Sequence, residues 1–231
     1  MCGRYVHTSN VEAIARLFGI TGPLPNTAAH YNAAPGQDLP VVRRHPDTGE
    51  RRLDALHWGL VPSWAKDRKI AWKLINARAE TIDTTGAFRS AFRLRRCLVP
   101  ADGFYEWEKR GTKRQPWVFT MADRTPFALA GLWEGWRPEG SEEWLRSFTV
   151  VTTAANPLVA PIHDRMPAIL PPAAWASWLG EEPCAPAALK ALLQPFPAAA
   201  MTTWPVSPRM NSGKVDEPSV LDPVTPDDVV A

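Results

Sequence analysis

The chain of 231 residues carries 45% apolar and 22% charged side chains and a net charge of +2, the composition of a soluble chain with one sizeable core. It shows no charged-then-apolar leader and no apolar run long enough to span a bilayer, so secretion and membrane insertion are not expected and the cytoplasm is the default location. Three widely spaced cysteines, Cys2, Cys97 and Cys184, suit neither a disulfide framework nor a paired-cysteine zinc site.

In chain order, Asn10 to Gly19 combines a capping Asn, apolar residues at helical spacing and a terminal Gly, which predicts a short helix. From there to about Gln37 the chain reads as Pro/Gly/Asn-rich loop. Leu39–Arg43 and Arg52–Trp58 predict strands around the turn Pro46-Asp47-Thr48-Gly49. Helical spacing returns at Arg89 to Arg95, a hairpin is expected with arms at Trp107–Lys113 and Pro116–Thr120, and Phe127–Trp133 and Ser147–Thr153 read as strands. Pro171-Pro172 opens a helix in the favourable place, running to Leu179, and Ala185 to Leu193 predicts another. Strands and helices alternate without the regular period of a parallel sheet, so the expected fold is α+β, one compact domain with an antiparallel, barrel-like β core and flanking helices. With 24 prolines it should be rich in loops. The domain is expected to span residues 1–215. From Asp216 to Ala231 there are five carboxylates and no Lys or Arg, which predicts a flexible acidic tail and leaves the body with a moderate basic excess on which a polyanion could be held.

Cys2 poses the first chemical question. A small second residue lets the initiator methionine be trimmed, which would leave a free amine and a free thiol on adjacent carbons. Such a pair can attack an amide as an N-terminal nucleophile, or both atoms can add to one aldehyde carbon and close a thiazolidine ring. Position alone favours an ordinary terminal residue, because chain ends are usually poorly ordered.

Three further polar groups sit in apolar or turn settings: Asn76 in Leu74-Ile75-Asn76-Ala77-Arg78-Ala79-Glu80, Glu106 in Gly103-Phe104-Tyr105-Glu106-Trp107, and His163 in Pro161-Ile162-His163-Asp164-Arg165-Met166-Pro167. Singly, each reads as a structural or solvent-facing residue. Together they form an acid–base set, because a glutamate held against aromatic surface has its charged form disfavoured and titrates in the range useful for proton transfer. The five histidines lack spacings that pair two imidazoles on a helix face, and no glycine-rich phosphate loop occurs, so neither metal nor nucleotide cofactor is expected. Arg4, Arg78, Arg89 and Arg165, with Trp64, Trp107 and the Pro35 turn, are candidates for holding phosphates and unstacked bases of a single strand.

These motifs, with Met1-Cys2-Gly3-Arg4, Tyr31-Asn32-Ala33-Ala34-Pro35-Gly36, Trp58-Gly59-Leu60-Val61-Pro62-Ser63-Trp64, Arg96-Cys97-Leu98-Val99-Pro100 and Ala130-Gly131-Leu132-Trp133, resemble in order the SOS-response-associated peptidase family. The resemblance implies a curved barrel-like α+β domain that senses abasic sites in single-stranded DNA and becomes covalently joined to them through Cys2, shielding the lesion. It implies catalytic roles for Cys2, Asn76, Glu106 and His163 and DNA contacts from Arg4, Pro35, Trp64, Arg78, Trp107 and Arg165. The partner would be abasic single-stranded DNA and the chain a monomer, associated with the nucleoid when bound. A thiol peptidase using Cys2, acting on itself or on others, is the first alternative, and a non-covalent single-stranded nucleic-acid binder the second. Retention of Met1 would turn the Cys2 amine into a peptide nitrogen and forbid the thiazolidine.

Overall fold

A computed structural model describes residues 2–225. Its strands are β1 (Tyr5–His7), β2 (His30–Ala33), β3 (Asp38–Arg44), β4 (Arg51–Trp58), β5 (Asn76–Arg78), β6 (Arg96–Ala101), β7 (Gly103–Arg110), β8 (Lys113–Met121), β9 (Phe127–Trp136), β10 (Leu145–Ala154), β11 (Arg165–Pro167), β12 (Ile169–Leu170) and β13 (Met201–Pro205). The helices are α1 (Val11–Phe18), α2 (Arg89–Leu94), α3 (Trp175–Leu179) and α4 (Pro186–Ala191), with short 3₁₀ turns between elements.

Five strands close on themselves in the order β4-β3-β6-β9-β10, and β10 returns to β4. Closure leaves this ring without a free edge. Every pairing in it is antiparallel except the last, where Ser147 and Phe148 run parallel to His57 and Trp58. β10 also runs parallel to β5, so the expectation of an antiparallel core holds with two parallel exceptions. A second sheet, β13-β8-β7-β1-β2, packs against the barrel. Period-2 alternation sends Leu39, Val41, Leu56, Trp58, Val99, Leu129, Phe148 and Val150 into one buried cluster, where they meet Cys2, Tyr5, Phe104 and Phe119 of the second sheet. The opposite faces of the barrel strands, with Val42, Leu53, Leu98, Ala130 and Val151, pack against the helices.

The helices form for local reasons. Asn10, in extended conformation, accepts a hydrogen bond from the Ala13 N–H, and Gly19 ends α1 at φ +66°. Its apolar stripe, Ile14, Ala15 and Phe18, is buried, and Phe18 stacks on Trp175 with ring centroids 4.3 Å apart. The expected helix after Pro171 begins as a 3₁₀ turn at Pro172–Ala174 before α3 and stops at Gly180, φ +78°. Among the described residues no helix is long and apolar enough to cross a membrane.

Two sequence expectations change. The loop before Gln37 contains β2, whose residues HYNA carry no alternation; its partner β1, through Tyr5↔Ala33, makes it a strand. The acidic tail does not start at Asp216. That carboxylate accepts hydrogen bonds from the Tyr31 and Asn32 N–H groups at 2.6 and 2.9 Å and lies 2.9 Å from His30 Nδ1. Beyond it a 3₁₀ turn at Pro218–Leu221 buries Val220, and Val206 bridges Pro223. The carboxylate that looked like part of a solvated charge run is instead the clasp of β2, because two backbone N–H groups of an edge strand need an acceptor. Residues 226–231 lie outside the described residues.

Candidate active site

Cys2 is fully buried at the seam between barrel and second sheet. Burial, with a smaller contribution from the nearby Glu106 carboxyl, pushes its thiol far above the usual thiol range. The thiol is therefore held as S–H near neutrality.

Glu106 approaches Cys2 from β7. Phe104 and Glu106 project to the interior face of that strand, whereas Tyr105 and Trp107 project to the other, where they join a separate cluster with Val6, Val118 and Met210. The aromatic surface beside the carboxyl is thus Phe104 and the cross-strand Trp117, not its sequence neighbours. Glu106 is 1% exposed, and burial raises its carboxyl to about 7. It is positioned to hold or release a proton near neutrality.

His163 comes from the turn after β10. Asn156 builds that turn: its Oδ1 accepts from the Leu158 and Val159 N–H groups, and its Nδ2 donates to Phe196 O. The Arg165 N–H donates to His163 Nδ1 at 3.0 Å, which makes Nδ1 the acceptor and leaves the ring proton of the neutral imidazole on Nε2. Asp164 Oδ1 also stands 3.0 Å from Nδ1, but that carboxylate is largely exposed, whereas the backbone donor is fixed. Nε2 faces Glu106 Oε2 at 4.0 Å. Desolvation lowers the imidazole below its ordinary value, favouring the neutral form.

Asn76 opens β5 and is tied to the same region through the core. The Tyr5 ring packs 5.1 Å from that of Trp58, and the Trp58 indole N–H donates to the carbonyl of Ile75, the residue before Asn76. The Asn76 amide donates weakly to Val150 O, while its Oδ1 is shielded from solvent with no hydrogen-bond partner among the described residues. A buried acceptor in that condition is costly unless a donor arrives.

The residues expected to touch a nucleic acid fall into three groups. Arg4 is half-buried, donates to Asn32 Oδ1 at 2.7 Å, and lies against Gly213. Trp107, though on the opposite face of β7 from Glu106, donates its indole N–H to Asn211, so it and Arg4 lean on one segment. Trp64 is 62% exposed. Pro35 adjoins Gly36, which has φ +90° and would place a Cβ 2.9 Å from the ring of Trp72. Trp72 is itself 66% exposed; sequence reasoning passed over it, and a lone tryptophan inside a short Lys/Arg-rich stretch was the available signal. Arg78 is exposed at the end of β5, opposite Thr152. Arg165 is committed: it forms a two-pronged pair with Glu80 at 2.6 and 2.9 Å and donates to Thr152 O, which makes it a brace of the His163 turn. Asn156, Asn32 and Asp216 were also missed; only the turn-forming Asn156-Pro157 dipeptide could have signalled one of them.

A closed five-strand barrel thus carries, at its seam with the second sheet, a buried Cys2 thiol, a carboxyl near its neutral point and an imidazole 4.0 Å from that carboxyl, the groups of a single-domain proton-transfer site. The chain belongs to the SOS response associated peptidase (SRAP) family, whose model matches residues 1–213. It is 40% identical over 226 residues to the abasic site processing protein YoqW of Bacillus subtilis, covering 96% of this chain and 99% of that one. It is 33% identical over 221 residues to the abasic site processing protein HMCES of Xenopus tropicalis, covering 83% of this chain and 65% of that protein. A crystal structure of a protein from Bacteroides thetaiotaomicron shares the fold with a TM-score of 0.86 at 24% identity, covering 97% of this chain and 100% of the other.

Proposed function

We propose that this protein captures abasic sites in single-stranded DNA as a covalent thiazolidine on Cys2, after loss of Met1, and so shields the lesion inside the cell. The observation that carries the reading is the juxtaposition of a buried, protonated Cys2 thiol with Glu106, whose carboxyl titrates at about 7, and His163 at 4.0 Å from it.

The abasic deoxyribose equilibrates between a closed ring and an open aldehyde. As the C1′–O4′ bond breaks, the C1′ hydroxyl proton passes through the Glu106 carboxylate to the ring oxygen, and His163 Nε2–H hydrogen-bonds that oxygen, so the ring opens with no net proton transfer and the imidazole stays neutral. The Cys2 amine, with a reference pKa of about 7.7–8.0, has a neutral fraction that adds to C1′. Glu106 then takes a proton from nitrogen and returns one to the departing hydroxyl, so that water leaves and an imine forms. The Sγ–H adds across C=N: sulfur bonds C1′, the proton passes to nitrogen, and the ring closes with one water released overall. Asn76 Oδ1 accepts a hydrogen bond from the amine and orients it. Arg4 and Arg78 hold flanking phosphates, Arg165 supports them through the Glu80 pair, and Pro35, Trp64 and Trp107 take unstacked bases.

A thiol peptidase built from the same residues would need a thiolate at neutral pH, which the burial of Cys2 opposes. A non-covalent binder would leave the paired Glu106 and His163 without a task. The test is incubation with an abasic single-stranded oligonucleotide, followed by denaturing electrophoresis and intact-mass measurement. Wild type should give a denaturation-resistant adduct on a chain lacking Met1. A stable adduct on Cys2→Ala, or on a chain that keeps Met1, overturns the proposal.

A further inference from the structure

The end of the barrel remote from Cys2 carries an arrangement the proposed reaction does not use. β3 and β4 run from Asp38 and Trp58 at the Cys2 end to the Arg44↔Arg51 pair at the other. Beside that pair opens a cleft of about 500 Å³ whose ionisable lining is Arg44, His45, Arg93, Arg95 and Arg96, with Trp133 as an aromatic wall and no Asp or Glu. Arg95 is neutralised by Glu134. Among the described residues no carboxylate pairs with Arg44 or Arg96: Arg44 Nη1 donates to Gly180 O, and Arg96 Nη1 donates to Phe92 O and Arg93 O, so carbonyl oxygens fix their direction while the charge stays. Arg93 is exposed and has no carboxylate partner among the described residues. An adjoining cleft of about 410 Å³ shares Arg95 and Trp133, includes Ser63 and the Glu134 that pairs with Arg95, and adds Arg146 and Trp144, which is 60% exposed with the Arg137 guanidinium 5.2 Å from its ring.

Crowding like charges around a concave surface costs folding stability, and pinning two of them with carbonyls adds rigidity that solvation alone does not require. Guanidinium groups fixed as forks beside aromatic faces match phosphodiester oxygens and unstacked bases. We infer that this double cleft, whose cations unpaired among the described residues are Arg44, Arg93, Arg96 and Arg146 beside Trp133 and Trp144, is a second binding track for the phosphodiester backbone of a single nucleic-acid strand, distinct from the Cys2 site. Reading the occupant as the same DNA strand rests on the function proposed above; the affinity of the cleft for phosphodiesters does not.

The probe is intact single-stranded DNA without lesions, in lengths of about 8 and about 30 nucleotides, followed by fluorescence anisotropy across a salt series. Arg93→Glu/Arg146→Glu should weaken the longer strand about tenfold and flatten its salt dependence by about 0.7 per lost phosphate contact. The shorter strand, too short to reach from the Cys2 site to this cleft, should bind as to wild type, and adduct yield on a short abasic strand should not change. Arg93→Lys/Arg146→Lys should restore the longer strand. Equal binding of the longer strand by all variants overturns the inference, and so does an equal loss for both lengths, which would reflect net charge alone. Loss of binding to a labelled mononucleotide, with the longer strand unaffected, also overturns it in favour of a free-nucleotide site. Failure of wild type to form any adduct would overturn the proposed function while leaving the length-dependent result intact.

Discussion

At the Cys2 end of the barrel the ionisable groups are buried and few, and burial shifts each toward its neutral form: thiol up, Glu106 up to about 7, His163 down. At the Arg44 end the groups are numerous, of one sign, and half-open to solvent, with their directions fixed by carbonyl oxygens. The same closed ring supports both. The contrast separates a place where protons are moved, which needs groups near their titration points, from a place suited to hold a permanent charge, which needs groups that never titrate.

The sharpest way to break that contrast is at Cys2. Cys2→Ala should abolish the denaturation-resistant adduct completely, and Cys2→Ser should leave at most an imine that hydrolyses on denaturation unless trapped by borohydride. Glu106→Gln should come next: adduct formation, followed by quenched-flow electrophoresis, should slow by about 10²–10⁴-fold and lose the pH dependence centred near 7 that wild type shows.

The same substitution has a stability consequence of opposite sense. A carboxyl raised from 4.5 to about 7 by burial favours its protonated form in the fold, so its contribution is most favourable below the unfolded value and is lost as pH rises through about 7. Glu106→Gln should therefore be the more stable protein at pH 8, by about 3 kcal/mol relative to the difference at pH 4. Thermal melts of both proteins at the two pH values measure this; a constant difference would mean the carboxyl titrates normally.

Smaller effects test the supports. Asp102 accepts from the Thr8 and Ser9 N–H groups at 2.6 and 2.9 Å and from both hydroxyls, locking the exit of β1 and with it the position of the first residues. Asp102→Ala should cost about 1–3 kcal/mol in urea denaturation and slow capture as well. Asn10→Ala, at the start of α1 on the helix-covered outer face of the barrel, should cost about 1 kcal/mol and leave capture unchanged. If both slowed capture alike, general destabilisation rather than positioning would be responsible.

Much of this was legible in residues alone. The caps of α1, the turn at Pro46–Gly49 and the apolar, β-branched run of β10 announce their elements because each depends on contacts a few residues away. The chemistry-bearing set was also legible, since Asn76, Glu106 and His163 are polar residues in settings that offer them little solvent. Their partners were not. Glu106 was expected to lie against aromatic surface, and it does, but the pleat of β7 sends its flanking Tyr105 and Trp107 to the other face, so that surface is Phe104 and Trp117. Arg165 looked like a free cation and is held by Glu80, 85 positions earlier in the chain. Asp216 looked like the start of a tail and is a backbone clasp for β2.

The amino-acid sequence by itself determined the local helices and hairpins, the α+β class and which side chains have proton-transfer chemistry, because propensity, capping and side-chain type act over short range. Only the tertiary structure decided that five strands close into a ring through one parallel pairing, that Cys2 is sealed from water beside Glu106, and that Arg44, Arg93 and Arg96 gather in one cleft with Trp133. Those outcomes depend on burial and on contacts between distant segments, and desolvation, which sets the titration of the thiol and the carboxyl, exists only once the chain has folded around them.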